Sequence, residues 1–595
     1  MLKRILYTLL SVLLLSLPWL GGSALTLFVA FVPLLWVEHS LAGQTGRRGK
    51  PRRFWPYVVS AFVLWWLATV WWVGYAAVIG VVAATVVGAT QMSVVFLVYH
   101  AVLRRARRAL AWTVLVSGWI AYETLFINGE ISFPWLVLGN AFAQDVRLVQ
   151  WYEWTGALGG SLWVLVTNLL VFEAIRRPRG WRGWAAPALA FVVPAAVSLT
   201  MYATYREPER TVRVTVVQPN IDPYYEKFVL KQAEQRGILL SLMAQAPKDV
   251  DFIVAPETAI DEDFWEKSIG RAPAIAQFRD FVRERYPSAL VVTGANTLRR
   301  YPSEREASPT ARCNRDSTLW YDIFNSALGI DSSERIGIHH KAKLVIGAEM
   351  TPYYSALKKL KFLTVDLGGI SGQLGMDSIR RVFASPRGVW GGPAICYEAI
   401  YGEYFTEFVR RGAELMFVIS NDGWWDDTPG YRYLFAYSRL RAIENRRSIA
   451  RSANTGRSGF IDQRGDVGET LGWDERGALT AELSLNDRLT FYTRYGDVIG
   501  RLAGYVFVLS LLYFMAYRVR RRSHLVEERR SVLSGPVPFF RETDRGERPE
   551  RRFPFEGHFP CFVRVGRGQA GLRFSRSGAC LSLRRPNVLP LLCVG

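Results

Sequence analysis

The stretch GPAICYE, residues 392–398, runs as an apolar segment and then ends in a thiol, a phenol and a carboxylate. Five other segments share this form, a near-continuous apolar run that stops at polar residues: TVRVTVVQPN (211–220), DFIVAPET (251–258), ALVVTGAN (289–296), FNSALGID (324–331) and LMFVISND (415–422). Strands buried on both faces have this composition, and helical stretches at 224–245, 271–285 and 431–447 lie between several of them. The pattern predicts a layered α/β domain whose strand ends collect an active site.

The distribution of apolar residues divides the chain into a membrane part and a soluble part. Half of the 595 residues are hydrophobic, and a helix needs about 20 apolar residues to cross the hydrocarbon core. Eight segments approach this requirement: 5–20, 23–38, 55–74, 76–100, 109–126, 158–175, 183–201 and 498–517. The sequence therefore predicts a membrane domain of seven helices at 1–209, a catalytic domain at 210–490 and an eighth membrane helix at 498–517. Residues 523–595, rich in Arg, Pro and Gly, are predicted to be a disordered basic tail.

The formal net charge of +21 would suit a nucleic-acid-binding protein, but the positions of the basic residues indicate membrane topology instead. Basic clusters at 47–53, 104–108, 176–182 and 518–522 lie between or after the apolar spans, as the positive-inside rule expects of cytoplasmic segments. Alternation of the helices then places 210–490 on the outer face, and we expect no nucleic-acid partner. The first span also has the form of a signal peptide, whose cleavage would leave that external placement unchanged.

An aromatic segment is predicted on the outer face, between the fifth and sixth spans. It comprises ISFPWLVLGN (131–140) and then Trp151, Tyr152 and Trp154. Aromatic side chains of this kind commonly lie at the headgroup level of a bilayer. The sequence leaves open whether the segment is an ordinary aromatic belt or a path by which lipid reaches the active site.

Three residues at or near the strand-like ends have the chemistry of acyl transfer. Cys396 follows an apolar run, where a sharp turn could present its thiol as a nucleophile. Glu257 closes another run and could accept the thiol proton. Lys341, in HHKAKLVIGAEMTP (339–352), could supply a fixed positive charge for a thiolate or an oxyanion. Taken alone, Cys396 is more typical of a buried structural cysteine. Glu257 and Lys341, taken alone, are more typical of ordinary charged residues.

Their order along the chain resembles the Glu-Lys-Cys triad of the carbon-nitrogen hydrolase (nitrilase) superfamily. VAPET, HHKAKLV, AICYE and ISNDGWW carry the resemblance, together with VVQPNI, FNSAL and RLRAIENRRSIARSANTG (439–456). With the membrane layout and FPWLVLGN, residues 1–519 resemble the apolipoprotein N-acyltransferase family of bacteria. The resemblance implies an eight-helix membrane protein with an extracytoplasmic, nitrilase-like αββα sandwich.

The resemblance also implies the roles of the site residues. Glu257 is expected to be the general base, Lys341 the oxyanion-stabilising lysine and Cys396 the nucleophile. Glu349 matches an acidic residue that assists the lysine, and Tyr397 and Glu398 match residues next to the nucleophile. The implied site contains no cofactor and no metal.

The implied reaction moves a fatty acyl chain from a phospholipid, through a cysteine thioester, to the N-terminal amine of a diacylglyceryl-cysteine lipoprotein. The implied location is the bacterial inner membrane, with the catalytic domain on the periplasmic face, and we expect a monomer. Apolar loops around Trp424, Trp425 and 352–375 are candidate lids that exclude water.

The sequence departs from the family pattern near the lysine and after ISND. His339 and His340 precede Lys341 where an aromatic-Asn pair is usual, and KLVIGAE follows it in place of His-Leu-Val-Pro-Phe-Gly-Glu. Trp424, Trp425 and two aspartates stand where Trp-Phe-Gly is usual. These changes affect the expected shape of the lid and the contacts of the acyl chain, while the three triad positions are kept.

Two other functions compete with lipid acylation. A membrane-tethered amidase or nitrilase would use the same triad on a small carbon-nitrogen substrate, although such an enzyme needs one anchor at most. A transporter or receptor would carry ionisable or broken sites near the middle of the membrane. Glu123 and Glu173 lie near predicted helix ends, and no pair of broken helices is visible. Five scattered cysteines indicate no disulfide framework.

Overall fold

The fold is described from a computed structural model that covers residues 1–42, 53–75, 78–227, 229–353 and 373–534. Residues 1–525 form one compact unit. Within it, long apolar helices precede and follow a two-sheet α/β domain, so the predicted fold class is confirmed.

Seven helices in the described residues are long and apolar enough to cross a membrane: Leu2–Leu20, Trp55–Tyr75, Val78–Leu103, Arg108–Asn128, Ala157–Arg176, Gly180–Thr204 and Val498–His524. The predicted span at 23–38 corresponds to a shorter apolar helix, Ala24–Ser40, that is interrupted at Phe31. Pro33 lies two residues after Phe31, and a proline inside a helix removes one backbone donor and clashes with the preceding turn. Seven of the eight predicted spans are therefore continuous long helices, and the count of eight is not reproduced.

The α-helices of the described residues are numbered in chain order. They are α1 (Leu2–Ser16), α2 (Leu27–Ala30), α3 (Val32–Ser40), α4 (Trp55–Val70), α5 (Val78–Leu103), α6 (Arg108–Asn128), α7 (Tyr152–Thr155), α8 (Ala157–Arg176), α9 (Ala185–Thr204), α10 (Gln232–Met243), α11 (Pro273–Arg285), α12 (Gly402–Arg410), α13 (Pro429–Asn445), α14 (Phe491–Tyr495) and α15 (Val498–Ser534). Helix α15 extends well past the predicted end at 517. Residues 523–534 are therefore helical, not part of a disordered tail, and 535–595 lie outside the described residues.

Fourteen strands form two sheets in the part of the chain that the structure describes. They are β1 (Thr211–Gln218), β2 (Phe252–Val254), β3 (Ile260–Trp265), β4 (Leu290–Tyr301), β5 (Arg312–Cys313), β6 (Trp320–Ile330), β7 (Gly337–His340), β8 (Phe383–Ala384), β9 (Trp390–Ile395), β10 (Leu415–Ser420), β11 (Ile449–Ala453), β12 (Ser458–Ile461), β13 (Val467–Leu471) and β14 (Gly477–Ser484). The first sheet has the order β14-β1-β2-β4-β6-β5, with β3 on β4 and β7 on β6. The second has the order β13-β12-β11-β10-β9-β8.

The two sheets pack face to face with helices outside them, which makes the predicted αββα sandwich. Phe252 of β2 points inward, where its ring centroid lies 4.9 Å from that of Phe417 on β10. The next residue, Ile253, points outward into a second core that contains Leu239 of α10 and Phe278 of α11. Because β1, β2 and β4 run parallel with both faces covered, their sequences read as unbroken apolar runs.

All six strand-like runs of the sequence form strands, and the three helical stretches overlap α10, α11 and α13. The first of these stretches is shorter than predicted. Residues 223–227 are turns, and α10 begins only at Gln232. Asp222 accounts for part of this difference, because its carboxylate accepts hydrogen bonds from the amides of Tyr224 and Tyr225 and so stabilises a turn.

The aromatic segment between α6 and α8 is buried in protein, not placed at a headgroup surface as predicted. Trp135 is 2% exposed and its ring contacts Trp72 of the membrane part and Trp425 and Tyr437 of the catalytic part. The Tyr437 hydroxyl donates to the Trp135 carbonyl over 2.7 Å. Trp151 and Tyr152 are also buried, and only Trp154 is exposed. We call the set Trp72, Trp135, Trp425 and Tyr437 the aromatic seam.

Candidate active site

Cys396 lies where β9 ends and a short 3₁₀ turn, Cys396–Ile400, begins. Its φ of +49° is in the left-handed region, which residues other than glycine seldom adopt. A strained turn of this kind presents a side chain at the carboxyl edge of a sheet. The parallel pairing of Ile395 with Ile419 brings the end of β10 beside Cys396 at the same edge.

Glu257 reaches this edge from the first sheet, three residues after β2 ends. The following residue, Thr258, also has a positive φ, of +46°. A glycine on β4 makes this turn possible, because a Cβ at Gly294 would lie 2.3 Å from the Thr258 nitrogen. The close backbone approach holds the Glu257 carboxylate over the end of the sandwich.

Lys341 lies between two carboxylates. Its ammonium donates to Glu257 Oε1 over 2.8 Å and to Glu349 Oε1 over 2.9 Å. The second oxygen of each carboxylate is bound by a backbone amide, that of Asn421 for Glu257 and that of Val345 for Glu349. All of these groups are buried or nearly so, with Lys341 only 1% exposed, so the ammonium has a fixed position.

Asn325 joins the two carboxylates and was given no role from the sequence. Its side-chain Nδ2 atom donates to Glu257 over 2.7 Å and to Glu349 over 3.0 Å, and its backbone carbonyl accepts from the Lys341 amide over 2.8 Å. The FNSAL segment contains Asn325, and its polar residue within an apolar run was the available signal. A buried side-chain amide needs hydrogen-bond partners, so an asparagine within an apolar run indicates a polar contact in the folded protein.

The neighbouring charges act on the pKa of the Cys396 thiol. Burial raises the pKa of the Cys396 thiol, the negative charge of Glu257 raises it further, and Lys341 opposes both. Burial alone lowers the pKa of Lys341, but Glu257 and Glu349 outweigh it and hold that pKa well above the usual value. The resting state therefore has a neutral thiol and a charged lysine, and the thiol needs a base.

Glu398 and Tyr397 follow Cys396 in the same 3₁₀ turn. The Glu398 carboxylate accepts from the amides of Ala342 and Ile395 over 2.7 and 2.8 Å, and also from the Tyr404 hydroxyl. Burial alone raises the pKa of Glu398, but its hydrogen bonds, first that from His339, bring the pKa below the usual value. Glu398 thus fixes the Lys341 segment to the Cys396 turn.

Tyr397 connects the Cys396 turn to the membrane part of the protein. Its hydroxyl donates to the Ser132 carbonyl over 3.1 Å, in the loop after α6, and its ring lies 6.0 Å from that of Trp135. The catalytic edge therefore faces the ends of the membrane helices. Every site residue predicted from the sequence lies at this edge.

Of the two candidate lids, the structure describes the one around Trp424 and Trp425 and only the ends of the other. Trp425 is buried in the aromatic seam, whereas Trp424 packs on Tyr224, and the Tyr224 hydroxyl donates to its carbonyl over 2.9 Å. Most of the second candidate, residues 354–372 of the segment 352–375, lies outside the described residues. A lid at 352–375 stays a prediction.

The arrangement has the parts of a cysteine-dependent acyl transfer: a thiol on a strained turn, a carboxylate base and a buried ammonium. The α/β sandwich and this site define a membrane-attached protein of the carbon-nitrogen hydrolase class. Residues 213–489 match the carbon-nitrogen hydrolase family, and residues 11–170 match the apolipoprotein N-acyltransferase N-terminal domain. The chain belongs to the apolipoprotein N-acyltransferase family, as the sequence resemblance predicted.

Two curated relatives and one solved structure are similar to the chain to different degrees. The chain is 29% identical to the apolipoprotein N-acyltransferase of Chlorobaculum tepidum, over 82% of this chain and 91% of that protein. It is 28% identical to that of Rhodopseudomonas palustris, over 83% of this chain and 91% of that protein. Among solved structures, Saccharomyces cerevisiae Nit3 of the nitrilase superfamily aligns with 46% of this chain and 90% of its own, with 14% identity and a TM-score of 0.33.

Proposed function

We propose that this chain is an N-acyltransferase that moves a fatty acyl chain from a phospholipid to the N-terminal α-amine of diacylglyceryl-cysteine lipoproteins. The observation that carries the proposal is one edge of the sandwich where Glu257, Lys341 and Cys396 lie together against the membrane helices. The two named relatives support it, because both are apolipoprotein N-acyltransferases and cover most of this chain.

The first step forms a thioester. Glu257 accepts the proton from Cys396, and the sulfur attacks the ester carbonyl carbon of the phospholipid. The Lys341 ammonium stabilises the oxyanion of the tetrahedral intermediate, an effect commonly worth about 3 to 4 kcal/mol per donor. The carbon–oxygen ester bond then breaks, and Glu257 returns its proton to the departing lysophospholipid.

The second step transfers the acyl chain to nitrogen. The α-amine of the lipoprotein attacks the thioester carbonyl, and Glu257 accepts the proton that the amine loses. The carbon–sulfur bond breaks, an amide forms, and the same proton returns to the Cys396 sulfur. Both steps exchange one acyl bond for another, so the chemistry needs no external energy source.

Both substrates are lipids, which explains why the site is built against membrane helices. Each methylene drawn from the bilayer into water costs about 0.8 kcal/mol. A site that meets the carbonyl at the bilayer surface avoids this cost. We place the protein in the inner membrane as a monomer, with the catalytic domain on the periplasmic face, because the basic clusters mark the opposite side as cytoplasmic.

The experiment is intact-mass measurement of the purified protein after incubation in phospholipid micelles. The wild type should gain the mass of one fatty acyl chain, because the thioester persists without an amine acceptor. Cys396→Ala should gain none, and Cys313→Ala, which removes an exposed cysteine, is the matched control and should behave as the wild type. Folded wild type that acquires no acyl group from any phospholipid would contradict the proposal.

A further inference from the structure

The hydrogen-bonded cluster of Lys341, Asn325, Glu257 and Glu349 is called the polar centre. Lys343 lies two residues beyond Lys341 and is not part of it. Its ammonium is 4.7 Å from the centroid of the Tyr401 ring. Within the described ranges it makes no hydrogen bond or ion pair. Its side chain is only partly exposed, and a charged group removed from water without a counter-ion carries a cost. A position of this kind suits an anion that arrives with a substrate.

A second cation lies close to it. The Arg380 guanidinium is stacked 3.9 Å from the centroid of the Tyr404 ring, and its buried Nε atom has no hydrogen-bond partner. The carboxylate nearest to Arg380, that of Glu407, is 3.5 Å away and is shared with Arg411. Tyr401 and Tyr404, which follow the Cys396 turn, thus each contact one cation.

The carboxylate that acts on Lys343 is already engaged. Glu398 attracts Lys343 electrostatically, but its two oxygens accept hydrogen bonds from backbone amides and from the Tyr404 hydroxyl. Burial, and then the charge of Arg380, lower the pKa of Lys343. The region therefore holds three cations, Lys343, Arg380 and Arg411, against two carboxylates, Glu398 and Glu407, and Glu398 is already bound by other donors.

Lys343 is linked to the nucleophile turn and to the membrane part through two tyrosines. The rings of Tyr401 and Tyr397 are 5.3 Å apart, and the Tyr397 hydroxyl bonds to the loop after α6. The segment that carries Lys343 returns to the same loop, where the amide of Tyr353 donates to Glu130 over 2.6 Å. A lipid that places its ester at Cys396 from this side would bring its headgroup close to Lys343.

We propose that Lys343 and Arg380 form a subsite for the phosphate ester of the donor phospholipid. The inference rests on the proposed function and deepens it. In a glycerophospholipid only the glycerol separates the phosphate from the reacting ester, so cations beside the nucleophile turn can bind it. The diacylglyceryl-cysteine acceptor has no phosphate, so the subsite distinguishes the donor from the acceptor by charge.

The test compares two donors with identical acyl chains in nonionic detergent micelles: phosphatidylglycerol, and diacylglycerol without phosphate. Thioester formation is followed by intact mass in a single turnover, for the wild type, Lys343→Met and Lys343→Arg. Lys248→Met, at an exposed lysine between α10 and β2, is the control for loss of one surface charge. A second measurement gives the KM for donor and for acceptor in the steady state.

We expect the wild type to react faster with the phosphate-bearing donor, and Lys343→Met to lose about ten-fold in rate with that donor alone, since one charged contact is worth at least about 1.4 kcal/mol. Lys343→Arg should keep most of the rate, and Lys343→Met should raise the KM for the donor but not for the acceptor. Equal losses with both donors, or no loss with either, would overturn the subsite while leaving the thioester mechanism intact.

Inorganic phosphate in solution is the other ligand whose charge matches the subsite of Lys343 and Arg380. Millimolar inorganic phosphate should leave the wild-type rate unchanged, because it lacks the acyl chains that hold the donor at the bilayer surface. Inhibition of the wild type that disappears in Lys343→Met would assign the cations to free phosphate and overturn the proposal. Failure of the wild type to form any thioester would instead contradict the proposed function.

Discussion

The polar centre around Lys341 and the aromatic seam around Trp135 are both buried, yet opposite interactions stabilise them. In the polar centre, Lys341 and Asn325 bind two carboxylates through short hydrogen bonds. In the seam, Trp135 packs on aromatic rings from both the membrane part and the catalytic part, at centroid distances of 4.8 to 5.8 Å. The polar centre is suited to chemistry and the seam to joining the two parts.

The difference predicts different responses to mutation. A buried charge that loses its partner leaves an unsatisfied group, so the damage is electrostatic and depends on which group remains. A buried ring that is removed leaves a cavity, so the damage follows its volume. Variants of the polar centre should therefore separate activity from stability, whereas variants of the seam should change the two together.

The largest effect is expected from Lys341→Met. Loss of the ammonium removes the oxyanion donor and leaves Glu257 and Glu349 facing each other, so the rate should fall by about 10²- to 10³-fold and the folded state should lose about 3 to 5 kcal/mol. Acylation is followed by intact mass, and stability by thermal unfolding in detergent.

The double variant Lys341→Met with Glu349→Gln sharpens this result. It removes one of the two unpaired carboxylates, so it should recover much of the lost stability without recovering activity. Recovery of both would show that Lys341 serves only to neutralise the carboxylates, and the assigned oxyanion role would be wrong.

Trp135→Ala should have the next largest effect, on stability. Removing a fully buried indole costs about 3 to 5 kcal/mol, and the loss should lower the melting temperature and the activity in parallel. Trp154→Ala, at an exposed tryptophan of the same segment, is the matched control and should change little. A Trp135→Ala protein with normal stability and no activity would indicate that Trp135 contacts substrate.

Asn325→Ala should have a moderate effect. The variant removes donors from Glu257 and Glu349, at a cost of about 1 to 3 kcal/mol, and the less ordered carboxylates should slow thioester formation. Asn296→Ala is a close control, because Asn296 is the direct partner of Asn325 in the register of β4 and β6 but bonds to Asp263 outside the site. Equal effects of the two substitutions would show that Asn325 contributes through the pairing of β4 with β6, and not through its contacts with Glu257 and Glu349.

The smallest effect concerns pH and Asp497, just before α15. Burial, and then the charge of Glu403, raise the pKa of Asp497 to about 6, above the value of an unfolded chain. A raised pKa means that the folded state binds the proton more tightly, so this stabilisation is present at about pH 4 and is lost as pH rises through 6.

Asp497→Asn should therefore remove about 2 kcal/mol of pH dependence between pH 4 and 7. The measurement is the melting temperature across that range, with Asp249→Asn, at an exposed aspartate, as the control. Identical pH profiles of Asp497→Asn and the wild type would show that Asp497 does not titrate in this window.

Most of the fold and the positions of Glu257 and Cys396 at strand ends could be predicted because each has a local marker, whereas Lys341 was identified only through the resemblance to the nitrilase superfamily. Strands covered on both faces appear as continuous apolar runs, and Glu257 and Cys396 stand where such runs end. Seven membrane helices have the length and composition that a bilayer requires. These properties belong to single segments, so no knowledge of neighbours is needed.

The aromatic seam could not be predicted, because its rings come from segments far apart in the chain. A tryptophan at position 135 looks the same in the sequence whether it contacts lipid or Trp425. The aromatic composition of its segment favoured a position at the headgroup level of the bilayer. Asn325 was missed for a similar reason, since its partners Glu257 and Glu349 lie 68 and 24 residues away. The broken helix at Ala24–Ser40 had a local signal in Pro33, which the count of apolar residues overlooked.

The most direct test of the central claim is the fate of the acyl group on Cys396 after a diacylated lipopeptide is added to the acylated protein. Mass spectrometry separates three products: acylated protein, free fatty acid and lipopeptide with one more chain. The account predicts that the protein loses its acyl group and that the lipopeptide gains it as an amide at the N-terminal amine. Release of free fatty acid alone, with the lipopeptide unchanged, would contradict acyl transfer and indicate a hydrolase.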